Sequence, residues 1–258
     1  LTPYAIGLIN AGHLNKIFAM AYVPWVIYAA VYFIHKPRAT ILLALSLVTA
    51  LQLWANHPQV AYYTWMVIGF YYVWFLASSL INKAFSIKGS LYPLFGLILG
   101  IAIALFMVSD PYIDIYQFQE HSNRGAASVL DQSSETNKGT KWEYATQWSF
   151  HPKELLSFIY PYFFGLQNTS DPEKGAYWGF MPFTQSTHYV GLVILIFSIL
   201  GITLKKPKKF ELIFWVITGL IVLTGFGSFF SILYKPLYSL LPFFSKFRIP
   251  SMIYLLLA

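Results

Sequence analysis

The chain has no cysteine among its 258 residues and few charged side chains. Without cysteine it forms no disulfide bond, no iron–sulfur cluster and no thiolate zinc site. Only 10% of its residues are charged and 57% are hydrophobic, whereas about 25% are charged in an average soluble domain. A soluble domain of this length could not bury so much apolar surface. The composition therefore predicts an all-α membrane protein with several spans.

Long stretches without charged residues indicate the spans, because a helix needs about 20 apolar residues to cross the hydrocarbon core. Six membrane helices are predicted at 17–34, 39–55, 59–82, 90–109, 188–204 and 210–232, and a seventh begins near Ile249. The sequence starts without Met and stops inside this seventh run, so we expect a fragment of a longer protein. The predicted organisation is membrane helices in 1–109, an outer segment in 110–187 and further membrane helices in 188–258.

Basic residues in alternate loops predict the orientation of the chain. Lys and Arg occur in HKPR (35–38), NKAFSIKG (82–89) and KKPKK (205–209), whereas NHPQ (56–59) has neither. The positive-inside rule places the basic loops in the cytoplasm. Segment 110–187, with nine acidic and five basic residues, is then extracytoplasmic. The net charge of +7 thus reflects topology and argues against a nucleic-acid partner.

The predicted spans contain almost no ionisable side chain. Ion-coupled transporters usually carry such groups within the membrane, so the composition counts against a pump. The chain also has no Gly-rich phosphate loop, no nucleophile elbow and no zinc-protease helix. In the outer segment, ELLSFIYPYFFG (154–165) is aromatic, broken by Pro161 and too short to span. This pattern predicts an interfacial or re-entrant segment.

Polar residues cluster at four points that the predicted topology places on the outer face. The clusters are NAGHLNK before the first span, NHPQ after the second, TQSTHY before the fifth and FSKFRIPS before the seventh. The residues singled out are His13, Lys16, His57, Gln59, Gln185, His188, Tyr189, Lys246 and Arg248. Their convergence on one face predicts a site at the lipid–water boundary.

Lys246 and Arg248 are the sharpest indication of a ligand, because two cations on the outer side run against the positive-inside trend. Pro250 suits the first turn of a helix. A helix N-terminus beside two cations favours an anion such as phosphate. Lys16 repeats the pattern before the first span. The alternative is that these cations contact lipid headgroups or acidic residues of the outer segment.

Candidate metal ligands and general bases are sparse. No two of the six histidines lie three or four positions apart. We therefore predict no metal site, although a divalent metal ion is left open as a cofactor. A transfer reaction needs a carboxylate base. The candidates are Asp110, at the end of the fourth span, and Glu154, beside the aromatic segment.

Five strings resemble the bacterial YfhO family, especially its Bacteroidota-type members. They are AGHLNKIFAMAYVPW, ANHPQVAYY, YATQWSFHPKELLSFIYPYFFG, YWGFMPFTQSTHYVG and LLPFFSKFRIPSM. They follow the family's order and extend over nearly the whole chain. The chain departs from these relatives at Phe180 and Met181, where they often carry a polar pair. This departure argues against a sugar contact at those two positions.

The resemblance implies a fold like the GT-C class of membrane glycosyltransferases, in the bacterial inner membrane. Such proteins transfer a sugar from a polyprenyl-phosphate donor to a glycan, lipid or protein of the cell envelope on the outer face. Their key acidic residue usually lies in a first outer loop, which we expect to precede this chain. By resemblance, Lys16, Lys246 and Arg248 would bind the donor phosphate and stabilise it as the leaving group. The residues assigned to sugar or acceptor are His13, His57, Gln59, Gln185, His188 and Tyr189.

Two other functions stay open. One is a non-catalytic envelope assembly or scaffold protein on the same fold. The other is a transporter of a lipid or glycan. A carboxylate in the first outer loop would favour the enzyme, and its absence would favour the scaffold. Charged residues that face a cavity in further spans would favour transport. Membrane lipids, the sugar donor and the envelope acceptor are the predicted partners.

Overall fold

The computed structural model describes residues 2–119, 142–165, 176–184, 187–204 and 208–257. In these ranges every element is helical except a single bridge at Ala176. The α-helices are α1 Pro3–Asn10, α2 Leu14–His35, α3 Ala39–Trp54, α4 Pro58–Ile81, α5 Ile87–Met107, α6 Ser109–Gln119, α7 Trp142–Ala145, α8 Leu192–Leu204, α9 Lys209–Gly225 and α10 Ser231–Leu240. Four 3₁₀ helices are described at Pro152–Phe158, Gly227–Phe230, Phe244–Lys246 and Pro250–Leu256. The all-α prediction is confirmed for this part of the chain.

Three helices, α2, α4 and α5, are long and apolar enough to cross a membrane. α3 and α8 are also apolar but have only 16 and 13 residues. A fourth span is possible if two consecutive helices are taken together, Glu211–Gly225 and Gly227–Leu240. The second helix is bent by 118° from the first. Within the described ranges the chain therefore has three candidate spans, or four with the bent pair. These helices support a membrane-embedded protein, and seven spans stay a prediction.

The fifth predicted span, 188–204, becomes α-helical only at Leu192. Gly191, just before it, has a φ of 99°, a conformation that residues with a side chain rarely adopt. The helix therefore begins after this glycine. The amide of Leu192 donates to the hydroxyl of Tyr189 at 3.1 Å, which satisfies one of the amides at the start of α8.

The sixth predicted span, 210–232, is interrupted after Gly225. Gly227 has a φ of 53°, and the amide of Ser228 donates to the hydroxyl of Ser149 at 2.9 Å. A Cβ at position 227 would lie 2.1 Å from that hydroxyl, so only glycine allows the close approach. A contact with a distant residue thus ends the helix where hydropathy alone predicts that it continues.

The chain divides into two compact units. The bundle unit consists of His13–Tyr112 and Lys209–Ile217. The loop unit consists of Leu1–Gly12, Ile113–Lys208 and Thr218–Ala258. Most of the irregular backbone and the short 3₁₀ helices belong to the loop unit.

In the bundle unit, α2 packs against α3 and α4, and α3 packs against α5. The side chain of Gln52, on α3, is fully buried. Its Nε2 donates to the carbonyl of Ala19 on α2 at 3.2 Å and to the hydroxyl of Thr64 on α4 at 3.0 Å. Hydrocarbon offers no other partner to a buried amide. These hydrogen bonds therefore favour one arrangement of the three helices.

The core of the loop unit surrounds Tyr254, whose ring is buried. The rings of Phe150, Phe158 and His188 meet it edge-on, with centroids 4.9, 5.4 and 5.3 Å away. Its hydroxyl donates to the carbonyl of Val222 at 2.9 Å. This cluster joins the end of α9 and the last 3₁₀ helix to two segments that are distant in the sequence.

We expect Gln52→Leu to lower the free energy of unfolding by about 1 kcal/mol, since polar contacts between membrane helices contribute about that much. The matched control is Ser79→Ala, because the Ser79 hydroxyl bonds only to Phe75 O of its own helix among the contacts described. Unfolding in detergent, followed by circular dichroism, measures both variants. Equal stability of Gln52→Leu and wild type would contradict the role assigned to this amide.

Candidate functional site

The carboxylate of Glu154 lies inside the loop unit with only 2% of the residue exposed. Its Oε1 accepts hydrogen bonds from the hydroxyl of Tyr177 at 2.7 Å and from the amide of Phe180 at 2.6 Å. The amide of Met181 donates in turn to the Tyr177 hydroxyl at 3.0 Å. A buried carboxylate is costly unless it is hydrogen-bonded. These contacts satisfy it and attach the segment around residue 180 to the 3₁₀ helix Pro152–Phe158.

Tyr177 is held as a neutral hydrogen-bond donor. Burial, followed by the hydrogen bond to the Glu154 carboxylate, raises the pKa of Tyr177 well above its ordinary value. A phenolate beside a buried carboxylate would place two negative charges together. The sequence makes Glu154 a candidate for the catalytic base. The structure shows it engaged in internal contacts, which suit a positioning role.

Arg248 lies against two aromatic rings. Its guanidinium carbon is 4.7 Å from the ring centroid of Tyr144 and 4.6 Å from that of Trp148. Its Nη1 donates to the hydroxyl of Tyr144. The indole of Trp148 donates to the carbonyl of Phe183 at 3.2 Å, and the two rings meet edge-on. The orientation of the guanidinium is therefore set by Tyr144 and Trp148, two side chains of one segment, and Phe183 in turn holds Trp148.

Cation–π contacts use the flat faces of a guanidinium. Its N–H donors point outward in the plane, in a fork that matches phosphate and carboxylate. Nη1 of this guanidinium already donates to the Tyr144 hydroxyl, so an anion bound at its edge would share the donors of Arg248 with that contact. An arginine fixed in this way loses less side-chain entropy on binding than a freely moving lysine or arginine would lose.

A helix begins at Pro250, as the sequence predicts, but it is a 3₁₀ helix of seven residues. The amide of Ser251 donates to the carbonyl of Trp148 at 3.3 Å. The helix N-terminus thus contacts the protein's own backbone. Any anion-binding capacity here depends on the side chains of Lys246 and Arg248, and not on the helix dipole that the sequence suggested.

His188 and Tyr189, predicted to contact sugar or acceptor, take part in the packing of the loop unit. The ring of His188 stacks on Tyr4 with centroids 4.6 Å apart and meets Phe150 edge-on at 5.5 Å. Tyr189 accepts the hydrogen bond at the start of α8 described above. Gln185 lies outside the described residues.

The remaining predicted residues belong to the bundle unit. His13 is the N-cap of α2, and desolvation, followed by the charge of Lys16, lowers its pKa. Lys16 is buried, with 8% exposed. Gln59 is buried in the first turn of α4 and its Nε2 donates to Tyr63 at 2.9 Å. His57 is the N-cap of the same helix.

Asp110 is exposed in the first turn of α6. The predicted residues thus fall in both units, and within the loop unit the structure gives Glu154 and Arg248 defined partners.

Sequence reasoning missed three of these partners, Tyr144, Trp148 and Tyr177. Tyr144 and Trp148 are four positions apart, a spacing that would have suggested one helical face. No group of three or more histidine, cysteine or acidic residues that could hold a metal ion occurs in the described ranges.

Comparisons of the sequence with protein-family models, and of the chain with curated proteins and solved structures, found no match.

We expect Tyr177→Phe to lower the free energy of unfolding by about 1.5–3 kcal/mol, because it removes a hydrogen bond to a buried charged group. Tyr160→Phe, at an exposed tyrosine of the same unit, is the control. The raised pKa of Tyr177 also predicts a pH effect. The contribution of Tyr177 to folding stability is present below about pH 10, the pKa of tyrosine in the unfolded chain. It is lost as the pH rises through the higher pKa that Tyr177 has in the folded protein.

Thermal unfolding between pH 7 and pH 11 measures both effects. The wild type is expected to lose more stability than Tyr177→Phe at the alkaline end. Identical melting temperatures for Tyr177→Phe and Tyr160→Phe at every pH would show that the Glu154 contact does not hold the segment.

Proposed function

We propose that the chain is part of a membrane glycosyltransferase that uses a polyprenyl-phosphate sugar donor. It would transfer the sugar to a glycan, lipid or protein of the cell envelope, on the outer face of the bacterial inner membrane. The observation that carries this proposal is the guanidinium of Arg248, held against the rings of Tyr144 and Trp148.

The chemistry of the donor explains why a fixed guanidinium matters. When the sugar leaves, negative charge builds up on the donor phosphate. A preorganised cation aimed at that charge stabilises the transition state without having to reorganise. Arginine hydrogen-bonds phosphate in a bidentate manner, and this bond is stronger than one between neutral groups. Lys246, two residues earlier, supplies a second cation close in the sequence.

The remaining assignments rest on the resemblance and on the predicted topology. We assign Lys16, buried in the first turn of α2, to the donor phosphate, because it repeats before the first predicted span the placement of Lys246 and Arg248 before the seventh. His13, His57 and Gln59 would contact the sugar or the acceptor. A GT-C-like arrangement of about seven spans, with segment 110–187 outside, would bring these groups to one face. The apolar helices α2, α4 and α5 support a membrane-embedded chain, which this arrangement requires.

The general base is assigned to Asp110, or to the acidic residue of a first outer loop that the resemblance implies. Asp110 is exposed, so it can accept a proton from an acceptor hydroxyl. Glu154 is less suited to this step, because its Oε1 accepts two internal hydrogen bonds.

A scaffold without catalytic activity is the second candidate. The observation that favours it is the internal role of Glu154, His188 and Tyr189, whose described contacts all stabilise the loop unit. On this alternative, Arg248 would contact lipid headgroups.

The test uses full-length protein in lipid nanodiscs and a panel of radiolabelled polyprenyl-phosphate sugars. We expect Arg248→Ala to reduce donor-specific sugar release about 10- to 100-fold, the effect of losing about 1.5–3 kcal/mol of hydrogen bonding to a charged group. Arg248→Lys keeps the charge but loses the bidentate fork, and should recover only part of the activity.

Arg38→Ala is the matched control, because Arg38 is an exposed arginine of the bundle unit that precedes α3. Unchanged release in Arg248→Ala would remove the central assignment. Absence of binding and release for every donor would favour the scaffold.

A further inference from the structure

An open groove of about 510 Å³ runs along the 3₁₀ helix Pro152–Phe158 of the loop unit. Its walls include Leu156, Ile159, Phe163, Trp178 and Phe180, and Lys153 is the charged residue that lines it. The volume lies within the range of about 300–1,000 Å³ that is typical of ligand sites.

The groove exposes an unusual amount of apolar surface. Trp178 is 61% exposed, and Phe163, Phe180 and Leu156 are each more than two-fifths exposed. Contiguous apolar patches of this kind mark sites that bind a ligand, a partner or a membrane. They carry an energetic cost as long as water covers them.

The shape of the groove depends on Glu154. Its carboxylate binds Tyr177 and the amide of Phe180, and so holds the wall formed by Trp178 and Phe180 beside the 3₁₀ helix. The backbone bond from the amide of Trp178 to the carbonyl of Phe164, at 3.0 Å, fixes the same wall from the other side. The groove is therefore preformed.

The lining suits a hydrocarbon chain better than a sugar. Each hydroxyl of a sugar needs a hydrogen-bond partner, and an unpaired one is costly in an apolar site. Among the side chains that line the groove, only the Lys153 ammonium and the Trp178 indole carry a polar hydrogen. An apolar chain with a single anionic group matches this lining in both polarity and charge.

The groove helix is also hydrogen-bonded to the segment that leads into α8, an apolar helix suited to a membrane. The amide of Val190 donates to the carbonyl of Phe158 at 3.2 Å, which ties the start of α8 to the groove helix. α8 is apolar and has no buried residue. Phe197 and Ile194 on it are 69% and 60% exposed. A helix that is apolar all round belongs in a core or in a membrane.

We propose that this groove holds an acyl chain of an anionic bilayer phospholipid, with the Lys153 ammonium paired to the lipid phosphate. The lipid would anchor the aromatic segment at the membrane surface. This inference is independent of the proposed glycosyl transfer, because it concerns a different cation and a lipid that is not consumed.

The test places the protein in nanodiscs that contain a small fraction of phosphatidylglycerol with a photoactivatable diazirine in its acyl chain. After irradiation and proteolysis, mass spectrometry maps the labelled peptides. We expect labels in 152–164 and 176–184, several times more with phosphatidylglycerol than with the matching phosphatidylcholine probe. Peptides of α8 should be labelled equally by both probes and serve as the internal reference.

Lys153→Gln should reduce groove labelling about fivefold, the size expected for one lysine beside an anionic surface. Lys235→Gln, at an exposed lysine on α10, is the matched control and should leave the labelling unchanged. Leu156→Asp, which places a charge in the groove wall, should abolish groove labelling while the melting temperature shows that the protein remains folded.

Equal labelling by the two probes, or no response to Lys153→Gln, would overturn the proposal. Displacement of the label by sugar-free polyprenyl phosphate at an equimolar amount would also overturn it, and would assign the groove to that lipid. Groove labelling that persists while the sugar-release assay fails would support this inference and reject only the proposed function.

Discussion

The conformation of the loop unit depends on the hydrogen bonds that the buried carboxylate of Glu154 accepts. Irregular backbone lacks the repeating hydrogen bonds of a helix, so its conformation must be held by other contacts. Here one carboxylate oxygen accepts from Tyr177 and from the amide of Phe180. The cost of burying the charge is offset because the bonds are charge-assisted. The result is a junction between two segments, which the bond from the Trp178 amide to the Phe164 carbonyl reinforces.

Arg248 illustrates the same principle with the opposite charge. Its guanidinium is held by Tyr144 and Trp148, while the carbonyl of Trp148 accepts from the amide of Ser251. Ile249, between the arginine and the last helix, has a φ of 68°. This conformation is unfavourable for a β-branched residue. The surrounding contacts outweigh this local cost, which is the pattern expected where the direction of a side chain matters more than local stability.

The hydropathy of the sequence predicts the positions of the helices in the bundle unit, but it does not predict the structure of the loop unit. The predicted spans 17–34, 59–82 and 90–109 match α2, α4 and α5 closely, since a long run of apolar residues has few alternatives to a helix. The break after Gly225 depends on the Ser149 hydroxyl, which is 79 positions away from Ser228. No local pattern carries that information. Likewise, the prediction selected Glu154 for its aromatic surroundings but could not foresee Tyr177, because an irregular chain has no period that relates the two.

The contact between Trp148 and Arg248 has a consequence for how the chain is threaded through a bilayer. Two residues that touch outside the hydrocarbon lie on the same side, so the number of crossings between them is even. Among the described residues of that interval, the helices whose apolar composition raises the question of a crossing are α8 and the bent pair formed by α9 and α10. Either both cross or both return to the side from which they entered. Because the number of crossings must stay even, the insertion of α8 is linked to that of the bent pair α9 and α10. If one of these elements changes from crossing to returning, the other must change as well.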